Sequence, residues 1–98
     1  MKVGYAEKRL SKIATDEAYK LGLPISVINS ARKKIVLLEQ APDERTIRNW
    51  RSLNFKKLSG DRNGQKSIRV NDQYRIIFTL DNDGNPPLIT ILEIDDTH

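Results

Sequence analysis

Arg69 and Arg75 flank the turn Asn71-Asp72-Gln73, and the residues around them dictate how they meet. Ile68 and Val70 before the turn, and Tyr74, Ile76 and Phe78 after it, recur at every second position, the period of strands with one buried face. Keeping both apolar sets on the same face requires an odd-length loop, which sets Val70 opposite Tyr74 and Arg69 opposite Arg75. Two guanidinium groups then face each other on neighbouring strands, an arrangement that stability alone disfavours. Either an anion sits between them, or the side chains splay toward solvent or toward Asp61 and Asp72. Guanidinium forks match phosphate geometry, so the anion of the first arrangement is a phosphodiester.

The surroundings of the pair are basic. Between Arg45 and Arg75 lie nine basic residues, among them Arg51, Lys56, Lys57, Arg62 and Lys66, against Asp61 and Asp72, a net charge of +7. From Ile76 to His98 there is no Lys or Arg, and five acids give −5. Such a division either gathers into a basic field for a polyanion, bordered by an acidic end, or is an unevenly charged solvated surface. Metal-free chemistry on RNA suits the first reading: basic side chains neutralise the charge that builds on the phosphorane, and the neighbouring 2′-OH serves as nucleophile. The one histidine, His98, is either the group that moves a proton or a frayed last residue.

Composition removes the alternatives. The chain has no cysteine, hence no disulfide, thiol nucleophile, iron-sulfur cluster or thiolate zinc site, and a single histidine builds no histidine-rich metal site. Glycine-rich phosphate loops, a G-x-S-x-G elbow and H-E-x-x-H are all missing. Glu93, Asp95 and Asp96 end a strand and read as a solvated acidic end in preference to a divalent-cation site. No cofactor is expected. With 98 residues, 38% hydrophobic and 31% charged, the chain suits one globular domain over residues 1–98, whose core is too small to wrap a large cofactor. No apolar run of seven or more follows Lys2, which predicts neither a signal peptide nor a membrane span, and a cytoplasmic protein.

These side chains need a scaffold, and the periodicities supply an α+β one. Val3 to Ala6 suits a short first strand. Leu10, Ile13, Ala14, Glu17, Ala18 and Leu21 recur at helical spacing up to Gly22, and Val27, Ile28, Ala31, Ile35 and Leu38 mark a second helix between Pro24 and Pro42. Lys12, Lys20, Arg32, Lys33 and Lys34 fall off these stripes and are expected to face water. Asp43 is placed to cap a further turn carrying Thr46, Ile47 and Trp50 inward, and Arg51 to Gln65 reads as irregular. After the arginine hairpin and a reversal at Asp81 to Pro87, Leu88 to Ile94 forms a third strand, apolar on both faces. The expected architecture is a short N-terminal strand and two antiparallel helices packed on a small antiparallel β-meander.

The run Leu58-Ser59-Gly60-Asp61-Arg62-Asn63-Gly64-Gln65-Lys66-Ser67-Ile68-Arg69-Val70-Asn71-Asp72-Gln73-Tyr74-Arg75-Ile76-Ile77-Phe78, with Asp95-Asp96-Thr97-His98 at the end, resembles the HigB toxins of the RelE superfamily. The matched features are Leu-x-Gly followed by Asp or Asn, Gly-x-x-Ser-Ile-Arg-Val-Asn, an aromatic residue with Arg after it, and a final Asp-x-His. The resemblance implies a RelE-like fold and a ribosome-dependent mRNA endonuclease. It also implies a partner antitoxin with a helix-turn-helix domain, HigA-like, through whose complex operator DNA is bound. Position by position, it assigns Arg69 and Arg75 to phosphate binding and transition-state stabilisation and His98 to proton transfer. Arg51, Lys56, Lys57, Arg62 and Lys66 complete the expected RNA-binding face. Many members have lysine where this chain has Ser59 and tyrosine where it has Thr97, which implies a weaker toxin unless Lys56 or Lys57 restores the charge.

Overall fold

The computed structural model describes residues 1–96 and forms a five-stranded sheet in the order β1-β5-β4-β3-β2. The strands are β1 (Lys2–Tyr5), β2 (Lys56–Lys57), β3 (Lys66–Arg69), β4 (Tyr74–Asp81) and β5 (Leu88–Asp96). From β3 to β5 the sheet is the expected antiparallel meander; β2, in a stretch read as irregular, adds antiparallel to β3, and β1 pairs in parallel with β5, so the whole sheet is mixed. Among the described residues no helix is long and apolar enough to cross a membrane.

The second predicted helix forms as α1 (Ile25–Gln40), which buries Val27, Ile28, Ala31, Ile35 and Leu38. A short α2 (Glu44–Asn49) follows, started by the Asp43 carboxylate, which accepts from the Thr46 backbone N–H at 2.9 Å; Ile47 is its fully buried anchor.

The first predicted helix is instead two 3₁₀ segments, Lys8–Ala14 and Ala18–Leu21, and the reason lies in the carbonyls between them. Arg32 of α1 donates from Nε to the Ile13 carbonyl at 2.6 Å and from its guanidinium to the Thr15 carbonyl, occupying acceptors that a continuous α-helix would use four residues on. The Thr15 hydroxyl donates to the Lys12 carbonyl at 2.8 Å and accepts from the Glu17 N–H at 3.1 Å, closing a local turn. Arg32 is therefore partly buried glue between α1 and the N-terminal segment, although the helical pattern alone puts it in water. Leu10 with Ile13, and Ala18 with Leu21, keep the three-residue spacing that a 3₁₀ turn buries.

The core lies between these helical elements and one face of the sheet, where Ile68, Ile76, Phe78, Ile89 and Ile91 are fully buried. On β5 strict alternation fails once. Ile77 pairs with Glu93 while Phe78 pairs with Ile91, so Leu92 is an extra residue, a bulge. The bulge lets Ile91 and Ile94 both face the core and turns Glu93 to the outer face.

Candidate functional site

The register is the one that the apolar parity demands: Ile68 lies opposite Ile76, and Arg69 opposite Arg75. Alternation then places Ser67, Arg69, Arg75 and Ile77, with Asp95 of β5 and Lys56 of β2, on the outer face. There all of these but Arg69 line an open groove of about 520 Å³ whose floor contains Ser67, Arg75 and Ile77. Lys56 lies toward one edge and Asp95 and Asp96 toward the other. The loop between β2 and β3 folds over this face, bringing Leu58 and Arg62 into the lining.

The two arginines do not converge. Arg69 leans toward the turn and pairs with Asp72, in line with the splayed alternative. Arg75 leans the other way: its Nε donates to the Ser67 hydroxyl at 2.9 Å, and its Nη2 donates to the Asn54 carbonyl and, at 3.4 Å, to the Ser67 carbonyl. Asn54 adopts the left-handed conformation, φ 44°, at the end of the 3₁₀ turn Arg51–Leu53. Burial, reinforced by the positive charge of Arg69, pushes the Arg75 pKa down from its ordinary value. A half-buried cation held by neutral acceptors is a ready binding point for an anion.

The remaining sequence candidates divide. Lys56 reaches the groove, whereas Lys57 lies opposite Lys66 on the other parity. The structure does not bring Lys66 to the groove: it shares the inward parity of Ile68 and forms an ion pair at 3.2 Å with Glu44 of α2. Arg62 lines the groove, but its Nη2 contacts both Glu93 carboxylate oxygens, at 3.1 and 2.9 Å, and its Nη1 donates to Gln65 at 3.0 Å. Arg51 is exposed and outside the lining. His98 and Thr97 lie outside the described residues. Among the described residues, no three His, Cys, Asp or Glu side chains gather where they could hold a metal ion.

Sequence reading missed Ser67 and Asn54, and it read Glu93 as part of a solvated acidic end, whereas Glu93 is paired with Arg62. Parity would have found Ser67, since it alternates with Ile68 on the strand that carries Arg69, and would have turned Lys66 inward. Nothing local marks Asn54 as the acceptor for a residue 21 positions away.

Comparison with known proteins agrees with this fold. The family model for the RelE-like toxin HigB of type II toxin-antitoxin systems matches residues 3–89. Toxin HigB-1 of Vibrio cholerae is 33% identical over 78 residues, covering 80% of this chain and 82% of the relative. Among solved structures, a YoeB/ParE toxin from Agrobacterium tumefaciens superposes with a TM-score of 0.61 at 12% identity, covering 100% of both chains. A YoeB-YefM complex from Staphylococcus aureus gives 0.57 at 15% identity, covering 100% of this chain and 97% of that one. These two likenesses concern the fold alone. Matched over most of its length by the family model and over four-fifths by a curated relative, the chain belongs to the HigB-like family of RelE-like toxins of type II toxin-antitoxin systems.

Proposed function

We propose that this toxin is a ribosome-dependent mRNA endonuclease working by metal-independent attack of a 2′-OH on the adjacent phosphodiester. The observation that carries the reading is the outer-face groove, in which Arg75 is held by neutral acceptors with Lys56 at the same opening. The 2′-oxygen bonds to phosphorus, the phosphorane gathers negative charge beside the guanidinium, and the P–O5′ bond breaks to leave a 2′,3′-cyclic phosphate and a 5′-OH. Arg69 joins Arg75 in binding phosphate once a ligand competes with Asp72, and His98 transfers the proton. Lys56, on the groove side of β2, supplies the cation that many relatives carry where this chain has Ser59. Arg51, Lys57 and Arg62 contribute to the wider basic field that meets the ribosome and its message in the cytoplasm, whereas Lys66, turned in to Glu44, does not. The solved YoeB-YefM complex pairs a toxin of this fold with a second protein. By analogy a cognate helix-turn-helix antitoxin, HigA-like, neutralises this chain, and the complex, not the toxin alone, binds operator DNA.

A second reading is favoured by the pairing of Arg62 with Glu93 and of Arg69 with Asp72: a RelE-fold protein of weak or silent activity that binds RNA or ribosomes, or acts only in an operon-regulating complex. Product analysis separates the two. Purified toxin added to translating ribosomes should yield message cut to 2′,3′-cyclic or 3′-phosphate ends; intact message with retained ribosome binding selects the second reading.

A further inference from the structure

Ser67 is the sole polar residue among the buried side chains described, 1% exposed in the middle of β3. Its neighbours across the sheet are Ile77 of β4 and Lys56 of β2, a setting in which a β-branched or aliphatic residue would pack more surface. A hydroxyl here needs a partner, since burying a polar group without one is destabilising. That partner is Arg75 Nε, at 2.9 Å. With the Ser67 and Asn54 carbonyls on Nη2, three neutral oxygens from two separate segments grip one edge of the guanidinium. Among the described residues these bonds use Nε and Nη2 and leave Nη1 for a ligand. They also draw Arg75 away from Arg69, so the two charges lie on neighbouring strands without sharing a space.

We propose that Ser67 is a positioning residue that seats the Arg75 guanidinium in the groove, with the Asn54 carbonyl as the second half of the seat. The functional part rests on the endonuclease reading above. Ser67 touches no reacting atom; its role is to keep Arg75 from rotating into solvent or toward Asp95, which lies opposite it on β5. Geometry of this kind matters because a misplacement of about 1 Å can cost on the order of 10²-fold in rate. A merely structural hydroxyl would affect melting temperature and leave the guanidinium where it is.

The test is a double-mutant cycle combined with ¹⁵N spectroscopy of the arginine Nε–H groups, on the full chain. In the wild type, Arg75 Nε–H should give a distinct, exchange-protected signal. Ser67→Ala should lose that protection and lower kcat on translating ribosomes by about 10- to 100-fold, with a much smaller change in KM. Ser67→Thr, which keeps the hydroxyl, should restore the signal and most of the rate. Combining Ser67→Ala with Arg75→Ala should be no worse than Arg75→Ala alone, because a seat has no purpose without its occupant. Persistence of the protected Nε–H signal in Ser67→Ala, or losses that multiply in the double variant, would overturn the proposal. If the wild type cuts no message, the endonuclease reading fails, and the Nε–H signal alone decides the seat: loss in Ser67→Ala upholds it, retention rejects it.

Discussion

On β4, Ile76 and Phe78 turn inward and are fully buried, while Arg75, between Tyr74 and Ile76, looks out on the groove. The same alternation separates Ile68 from Ser67 and Arg69 on β3. The two faces of the sheet thus share a backbone but not their neighbours, and it is the neighbours that set the cost of a substitution. Inward side chains meet a close-packed apolar core that cannot relax into a gap. Outward ones meet solvent, polar groups and an open groove. Stability and activity are therefore separable within a few residues of one strand.

Truncating the inward face should have the largest effect. Phe78→Ala removes a fully buried ring that also packs against Phe55 at a centroid distance of 6.4 Å, and should cost about 3–5 kcal/mol. Urea unfolding measures it. A loss below about 1 kcal/mol would mean that the inner face is far more tolerant than its burial implies.

On the outward face, Arg75→Ala should reverse the pattern. Loss of a charge-assisted donor at the phosphorane should lower cleavage by on the order of 10²- to 10³-fold. The side chain is only half buried, but truncation leaves the buried Ser67 hydroxyl without its partner, so stability should fall by about 1–3 kcal/mol, less than for Phe78→Ala. A soluble, folded and nearly harmless variant in growth assays supports the separation of the two faces; full growth arrest would place the active site elsewhere, and an unfolded variant would make Arg75 a structural residue.

The smallest effect belongs to Asp43, which lies on neither face. Hydrogen bonds from the Thr46 backbone N–H and hydroxyl hold its carboxyl below the ordinary aspartate range. A carboxyl whose pKa is lower in the folded than in the unfolded chain adds stability above the unfolded value, and that stability fades as pH falls through the folded one. The melting-temperature difference between wild type and Asp43→Ala should therefore be full at neutral pH and shrink below about pH 4. A difference that stays constant to pH 2 would show that the cap acts through something other than its charge.

Much of the scaffold was legible because its signals are local. Period two marked β3 and β4, a run apolar on both faces marked β5, period 3.6 marked α1, and Asp43 marked the start of α2. The same logic failed for the N-terminal segment, where Leu10, Ile13, Ala18 and Leu21 suit an α-helix and a 3₁₀ turn alike. The choice came from Arg32, a residue of another element that takes the carbonyls of Ile13 and Thr15. It failed again on β5, where alternation cannot announce an extra residue at Leu92.

Alternation and turn length by themselves determined that Arg69 and Arg75 lie opposite each other on the exposed side of a hairpin, because a one-residue slip would bury charge and expose the whole apolar set. Charge counting determined the basic block. Only the tertiary structure decided which of those cations reach the groove. Lys66 turns in to Glu44, Arg62 is held by Glu93, and Arg75 is gripped by Ser67 and Asn54. Each partner comes from another part of the fold, and a side chain's orientation depends on which acceptor the folded chain brings within about 3 Å, a distance that no local sequence pattern encodes.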